Sequence, residues 1–143
     1  MNHLATSKED ILAASRDLIK ENGWAAVSIR AVASRCSVSA GTIYNYYESK
    51  ADLLRDTIES VWYEIFFHPK DEQVFHDVET CISWIYERLE YGNRQFPGFF
   101  SLHSFGFMRD EKTSGKKRMM KTWGHILNGL CEVLGNDPKV RAD

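Results

Sequence analysis

Apolar residues recur at helical spacing along the whole chain, and no stretch alternates as a half-buried strand would. Ile11, Leu12, Ala14, Leu18 and Ile19 form one stripe, which predicts a helix from about Lys8 to Asn22. Ser7 and Asp10 give it a capping box, and Gly23 stands just past its end. Trp24 follows and is expected to pack into the same small core. Ile29, Val32, Ala33 and Cys36 form a second, shorter stripe behind Ser28, a candidate cap. The chain turns through Ser37-Val38, and Ser39 is placed to cap a third helix with Ile43 and Tyr47 on its inward side. A fourth helix begins at Ser49, with Asp52 completing a second capping box. Its buried stripe is Leu53, Leu54, Thr57, Ile58, Val61, Trp62 and Ile65, and His68-Pro69-Lys70-Asp71 ends it.

Val74, Val78, Cys81, Ile82, Ile85 and Leu89 signal a fifth helix, which Pro97-Gly98 interrupts. A shorter segment reaches about Met108, and a charged loop spans Asp110 to Gly115. A last long helix carries Met119, Met120, Trp123, Ile126, Leu127, Leu130, Val133 and Leu134, and stops at Gly135-Asn136-Asp137-Pro138. The pattern predicts an all-α protein. An N-terminal three-helix bundle with a helix-turn-helix (residues 1–48) is joined by the long fourth helix to a C-terminal helical domain (residues 49–143).

The third helix stands out by what its polar side displays. Turning about 100° per residue, it places Gly41 and Asn45 opposite Ile43 and Tyr47, flanked by Thr42, Tyr44 and Tyr46. A solvated helix face ordinarily carries Lys, Glu and Gln, so exposed tyrosines beside Asn and Gly point to a partner. Asn45 can make a two-pronged contact with adenine in the major groove, and Gly41 lets the backbone approach closely. Thr42 offers a hydroxyl and a methyl group, and the tyrosines offer hydroxyls to phosphate oxygens. The first-turn amides behind Ser39 suit an anion. Lys50 is placed to hold a phosphate as a point charge. These are the features of a DNA-reading helix-turn-helix.

Ile29, Val32-Ala33, Val38-Ser39, Gly41-Thr42-Ile43-Tyr44, Tyr46-Tyr47, Ser49-Lys50 and Asp52-Leu53-Leu54 closely resemble the N-terminal motif of TetR-type (TetR/AcrR) transcriptional regulators. The specific resemblance covers about residues 7 to 65, and the remainder only in its helical layout. It implies a homodimeric repressor that leaves a palindromic operator when a small molecule enters the C-terminal domain. Carried over, Ser28, Ser39, Thr42, Tyr44 and Lys50 correspond to phosphate or backbone contacts, and Gly41, Thr42 and Asn45 to base-facing positions. The family usually has glycine at the turn, where this chain has Ser37. A left-handed backbone there costs serine on the order of 1 kcal/mol. The resemblance also implies two further helices forming the dimer interface, whereas Asp137-Pro138 reads as the cap and first turn of another helix cut short. The expectation is therefore a chain truncated before its dimerisation helices, with pairing through another surface as the alternative.

Charge adds little. The formal net charge is −2, so no whole-molecule basic footprint exists, although Arg30, Arg35 and Lys50 outnumber Glu48 between Ser28 and Lys50. Cys36, Cys81 and Cys131 are odd in number and far apart, each within an apolar helical pattern. They read as reduced core residues, and the five histidines lack ligand spacing, so neither a metal nor another cofactor is expected. No apolar run reaches membrane-spanning length and the N-terminus lacks a signal-peptide core, which reads as a cytoplasmic protein with no membrane partner.

Fourteen of the 18 aromatic residues lie between Trp62 and Trp123. The resemblance implies an effector cavity among the fourth to seventh helices, and such a lining suits a small, largely apolar or aromatic ligand. Trp62, Phe66, Trp84, Phe100, His103, Phe107 and Trp123 are the candidate contacts; simple core filling is the alternative for each. The basic run Lys112 to Lys121 reads as a solvated loop rather than a second nucleic-acid patch. No nucleophile–base pair, phosphate loop or metal motif supports an enzyme. The competing function is a helical small-molecule carrier or adaptor with a vestigial DNA-binding motif, against which the polar side of the third helix argues.

Overall fold

The computed structural model of the chain describes residues 6–66, 77–100, 124, 128, 131–132 and 134–139. Within them the protein is all-helical. Helix α1 (Lys8–Asn22) starts from the expected reciprocal cap: Ser7 Oγ accepts from the Asp10 amide at 3.1 Å, and the Ser7 amide donates to Asp10 Oδ2 at 3.2 Å. It stops at Gly23, whose φ of 86° few other residues tolerate and whose amide donates to the Ile19 carbonyl. A 3₁₀ turn (Trp24–Ala26) leads to α2 (Ile29–Arg35), where Ser28 Oγ accepts from the Ala31 amide at 3.1 Å.

The turn after α2 is the strained one. Ser37 has φ of 57°, the left-handed conformation anticipated where a glycine is customary. The amides of Ser37 and Val38 donate back to the carbonyls of Ser34 and Ala33, so the turn reverses the chain without losing its hydrogen bonds. Helix α3 (Ala40–Tyr44) follows and is only five residues long. Helix α4 (Lys50–Phe66) is 17 residues long and starts under Ser49, whose Oγ accepts from the Asp52 amide at 3.2 Å. The reciprocal half of this cap differs from expectation, because Asp52 Oδ2 receives the Ser49 hydroxyl at 3.0 Å.

Helix α5 (Val78–Gln95) is capped by Asp77, whose carboxylate accepts from the Thr80 amide and hydroxyl. Those bonds hold the Asp77 carboxyl below the usual range. Asp137, distant in sequence, accepts from the Val78 amide at 3.1 Å and from the Lys139 amide at 2.9 Å. Its carboxylate is thus buried against the start of α5. Its bond to Lys139 is a cap-like local contact; residues 140–143 lie outside the described residues.

One apolar cluster runs through both halves of the chain. It joins Ile11, Ile19, Val32 and Ile43 to Leu53, Val61 and Ile65 of α4, then to Trp84, Phe96 and Phe99. Trp24 meets Phe99 edge-on at 6.4 Å, so the N-terminal bundle and the segment after α5 touch directly. The two polar residues buried inside α1 and α4, Ser15 and Thr57, donate to the carbonyls of Ile11 and Leu53 one turn back. Gly92 allows α4 and α5 to approach closely: a Cβ there would lie 2.7 Å from Ile65 Cδ1 and 2.9 Å from Phe100 Cζ.

Two expectations change. The inward face of α5 is Cys81, Trp84 and Gly92, leaving Ile82 and Leu89 exposed. The helix carries two overlapping stripes, and the one with the large Trp84 and the close-approach Gly92 faces α4. Ile82 and Leu89 each lie one residue, roughly 100°, off that stripe. Cys81 is buried as expected, but Cys36 is half-buried and Cys131 exposed. Val74, Met119, Met120 and Trp123 fall outside the described residues, as do Lys112 to Lys121. No described helix is long and apolar enough to cross a membrane.

Two substitutions test this packing by urea unfolding. Ser37→Gly relieves the left-handed backbone and should raise stability by about 0.5–1 kcal/mol; an unchanged or lower midpoint would show that the turn is unstrained. Gly92→Ala should lower stability by about 1–3 kcal/mol through overpacking, and a neutral result would mean that α4 and α5 can separate freely.

Candidate nucleic-acid interface

Five residues are too few for a helix to persist alone, so α3 is held by what surrounds it. Ile43 is fully buried and Tyr47, just beyond the helix, is nearly so. Burial, with Asp56, Glu59 and Glu9 nearby, pushes the Tyr47 phenol well above its ordinary range, so it stays neutral in the core. Ser39 Oγ accepts from the Thr42 amide at 3.3 Å and lies 3.1 Å from Thr42 Oγ1. With these anchors inward, Gly41, Tyr44 and Asn45 are exposed and Thr42 is half-buried beside them. Tyr44 leaves 52% of its surface in solvent, a large exposed aromatic on a short helix with no function in the core.

The remaining candidates divide. Lys50 is exposed at the first position of α4, on the far side of the turn that follows α3. Ser28 is half-buried and already caps α2 with its oxygen, leaving its hydroxyl proton available to donate. Tyr46 is exposed as expected, and its hydroxyl also donates to the Thr6 carbonyl at 2.5 Å. The local positive bias is also smaller than the sequence suggests. Both guanidinium arms of Arg35 bond to Glu21, which holds the Glu21 carboxyl below its usual range. Arg30 and Lys50 remain as exposed cations of the motif.

Of the seven aromatic and histidine candidates between Trp62 and Trp123, four come together. Trp62 stacks on Phe66 with centroids 5.5 Å apart, meets Phe100 edge-on at 5.5 Å, and Phe66 meets Trp84 at 6.3 Å. Phe99, which is not among the seven candidates and opens the run Phe99 to Phe107 that the sequence pattern marks as hard to bury, is central to the group: fully buried, it lies 5.3 Å from Trp62. His103, Phe107 and Trp123 lie outside the described residues. Among the described residues no group of three or more His, Cys, Asp or Glu could hold a metal ion.

Glu64 on α4 was also missed by sequence reasoning. Its carboxylate faces Lys20 at 3.3 Å and Arg16 at 3.8 Å on α1, and Tyr91 on α5 at 3.5 Å. A half-buried acid on the polar side of a helix gives no periodic signal, so only the fold reveals this bridge between three helices.

Comparison with known proteins places the similarity on this motif. The family described as bacterial regulatory proteins, tetR family, matches residues 11–57. Over 48 residues the chain is 38% identical to the HTH-type transcriptional regulator UidR of Escherichia coli K12, a match covering 34% of this chain and 24% of that protein. It is 45% identical over 47 residues to the HTH-type transcriptional repressor KstR of Rhodococcus jostii RHA1, covering 33% and 22% respectively. A longer match of 90 residues at 26% identity joins it to an HTH-type transcriptional regulator in the lacX 3′ region of Lactococcus lactis, covering 59% of this chain and 46% of the other. The chain therefore aligns with between about a quarter and a half of these relatives' length. No solved structure matches it significantly.

Proposed function

We propose, from the match of residues 11–57 to the tetR family of bacterial regulatory proteins and from the relatives that share this motif, that the chain is a ligand-responsive transcriptional repressor acting in the cytoplasm. In this reading it binds a palindromic operator as a homodimer and leaves it when a small, largely apolar effector binds. The observation that carries the reading is the face of α3: Gly41, Tyr44 and Asn45 exposed together over a buried Ile43. Asn45 and Thr42 read base edges, Gly41 allows close approach, and Ser28, Ser39, Tyr44 and Lys50 hold the phosphate backbone. With a net charge of −2, specificity rests on these placed contacts more than on long-range attraction. The name of the relative KstR, a transcriptional repressor, favours repression over activation.

The effector is proposed to enter among Trp62, Phe66, Trp84 and Phe100, with His103, Phe107 and Trp123 completing the lining. A ligand there acts by favouring one arrangement of α4 over another. The uninterrupted apolar cluster from Phe99 to Ile11, and the Glu64 bridge to α1, provide the physical continuity for that shift to reach α3.

Binding measured against a duplex enriched by the protein from a random-sequence pool tests the reading. Asn45→Ala should lose about 1–3 kcal/mol and relax the preference at one base pair. Lys50→Gln should weaken binding to all sequences and reduce the salt slope by about one. Undiminished binding by Asn45→Ala at every salt concentration would contradict the assigned surface. Footprints should show two half-sites about 34–36 Å apart, or a multiple of that; a single protected half-site would contradict the dimer.

A further inference from the structure

We infer that Tyr46 is a positioning residue for DNA reading: its bond to Thr6 buckles the end of α3 to the start of α1, and it does not contact DNA itself. The inference rests on the DNA-binding reading above. A phenol has one proton to donate, and a phosphate oxygen only accepts. The Tyr46 proton is given to the Thr6 carbonyl at 2.5 Å, so a bond to phosphate would require breaking the buckle.

The position of this bond explains what it does. Helix α3 ends at Tyr44, and the next residues are held only by backbone bonds to the turn before them: Asn45 to Gly41 and to Thr42 at 3.2 Å each, Tyr46 to Ile43 at 2.9 Å and Tyr47 to Ile43 at 3.0 Å. Tyr44 and Asn45, both exposed, therefore sit at the end of a helix too short to support itself. Ile43 and Tyr47 fix the depth of this segment in the core. The Tyr46 bond crosses 40 residues to the peptide before the α1 cap, and fixes the segment sideways. A second contact brackets the same junction, since Lys8 lies over the Tyr47 ring at 5.2 Å and 3.9 Å from Asp56 on α4. Thr6 itself is buried against the protein, so the buckle closes on a fixed point.

The test uses Tyr46→Phe, a chain released from a cleavable fusion so that it begins at Ser7 and lacks the Thr6 carbonyl, and the two changes combined. Each is measured for binding to the duplex enriched by the wild-type protein and to random-sequence duplex. Amide hydrogen exchange is followed in the DNA-free proteins. A positioning role predicts that each single change weakens specific binding about three- to tenfold, the size of one lost hydrogen bond. The combined change should do no more than either alone, with random-sequence binding and its salt slope unaltered. Exchange at Asn45, Tyr46 and Tyr47 should rise in both singly altered proteins while the amides of α4 and of α1 beyond its first turn stay protected. Additive losses, an unaffected truncated chain, or unchanged exchange in Tyr46→Phe would overturn the inference. Failure of the wild-type protein to enrich any duplex would instead sink the DNA reading, whatever the exchange shows.

Discussion

The structure depends on the burial of Ile43 and Tyr47, the two side chains that pin a helix too short to stand alone. Burying Ile43 is worth roughly 1.5–3 kcal/mol, and with the Tyr47 ring beside it this orders five residues only because the caps and turn around them are already formed. Ser39 closes one end, Tyr46 braces the other, and the left-handed Ser37 sets the angle at which α3 leaves α2. What faces outward on α3 is a consequence of what faces inward. If Ile43 and Tyr47 are fixed, Gly41, Tyr44 and Asn45 have nowhere to go but solvent or a partner.

That same core does not end at the motif. Leu53, Ile58, Val61 and Ile65 of α4 belong to the same cluster as Ile11, Val32 and Ile43, and Trp62 carries it into the aromatic group through Phe66 and Phe99. Close-packed interiors shift between discrete arrangements instead of deforming smoothly. A continuous core of this kind is thus a physical route by which a proposed effector could alter the pose of α3. The ion pairs around Glu64 are partly exposed and individually worth little. Their interest lies in joining α1, α4 and α5 at one carboxylate.

What could be read from the sequence follows the range of the interaction. The caps at Ser7, Ser28 and Ser39 were legible because each is a contact between residues three apart. The conformation of Ser37 was legible through the resemblance, which marks that turn as a glycine position. The face of α5 was not, because Cys81–Trp84–Gly92 and Ile82–Leu89 are both regular stripes, and only the close approach permitted by Gly92 selects between them. The bonds Tyr46–Thr6 and Asp137–Val78 join residues 40 and 59 apart, and no local pattern encodes them. At the candidate interface, exposure of Tyr44 and Asn45 was legible, whereas the engagement of Tyr46 by Thr6 and of Arg35 by Glu21 required coordinates.

The central claim is that α3 enters the major groove with Asn45 foremost. The most direct measurement is photocross-linking from a photoreactive side chain at position 45, on a duplex enriched by the wild-type protein, with position 86 on the exposed side of α5 as control. The account predicts cross-links from position 45 to major-groove base atoms at symmetry-related positions and none from position 86. Cross-links absent from position 45, or equally strong from position 86, would contradict it.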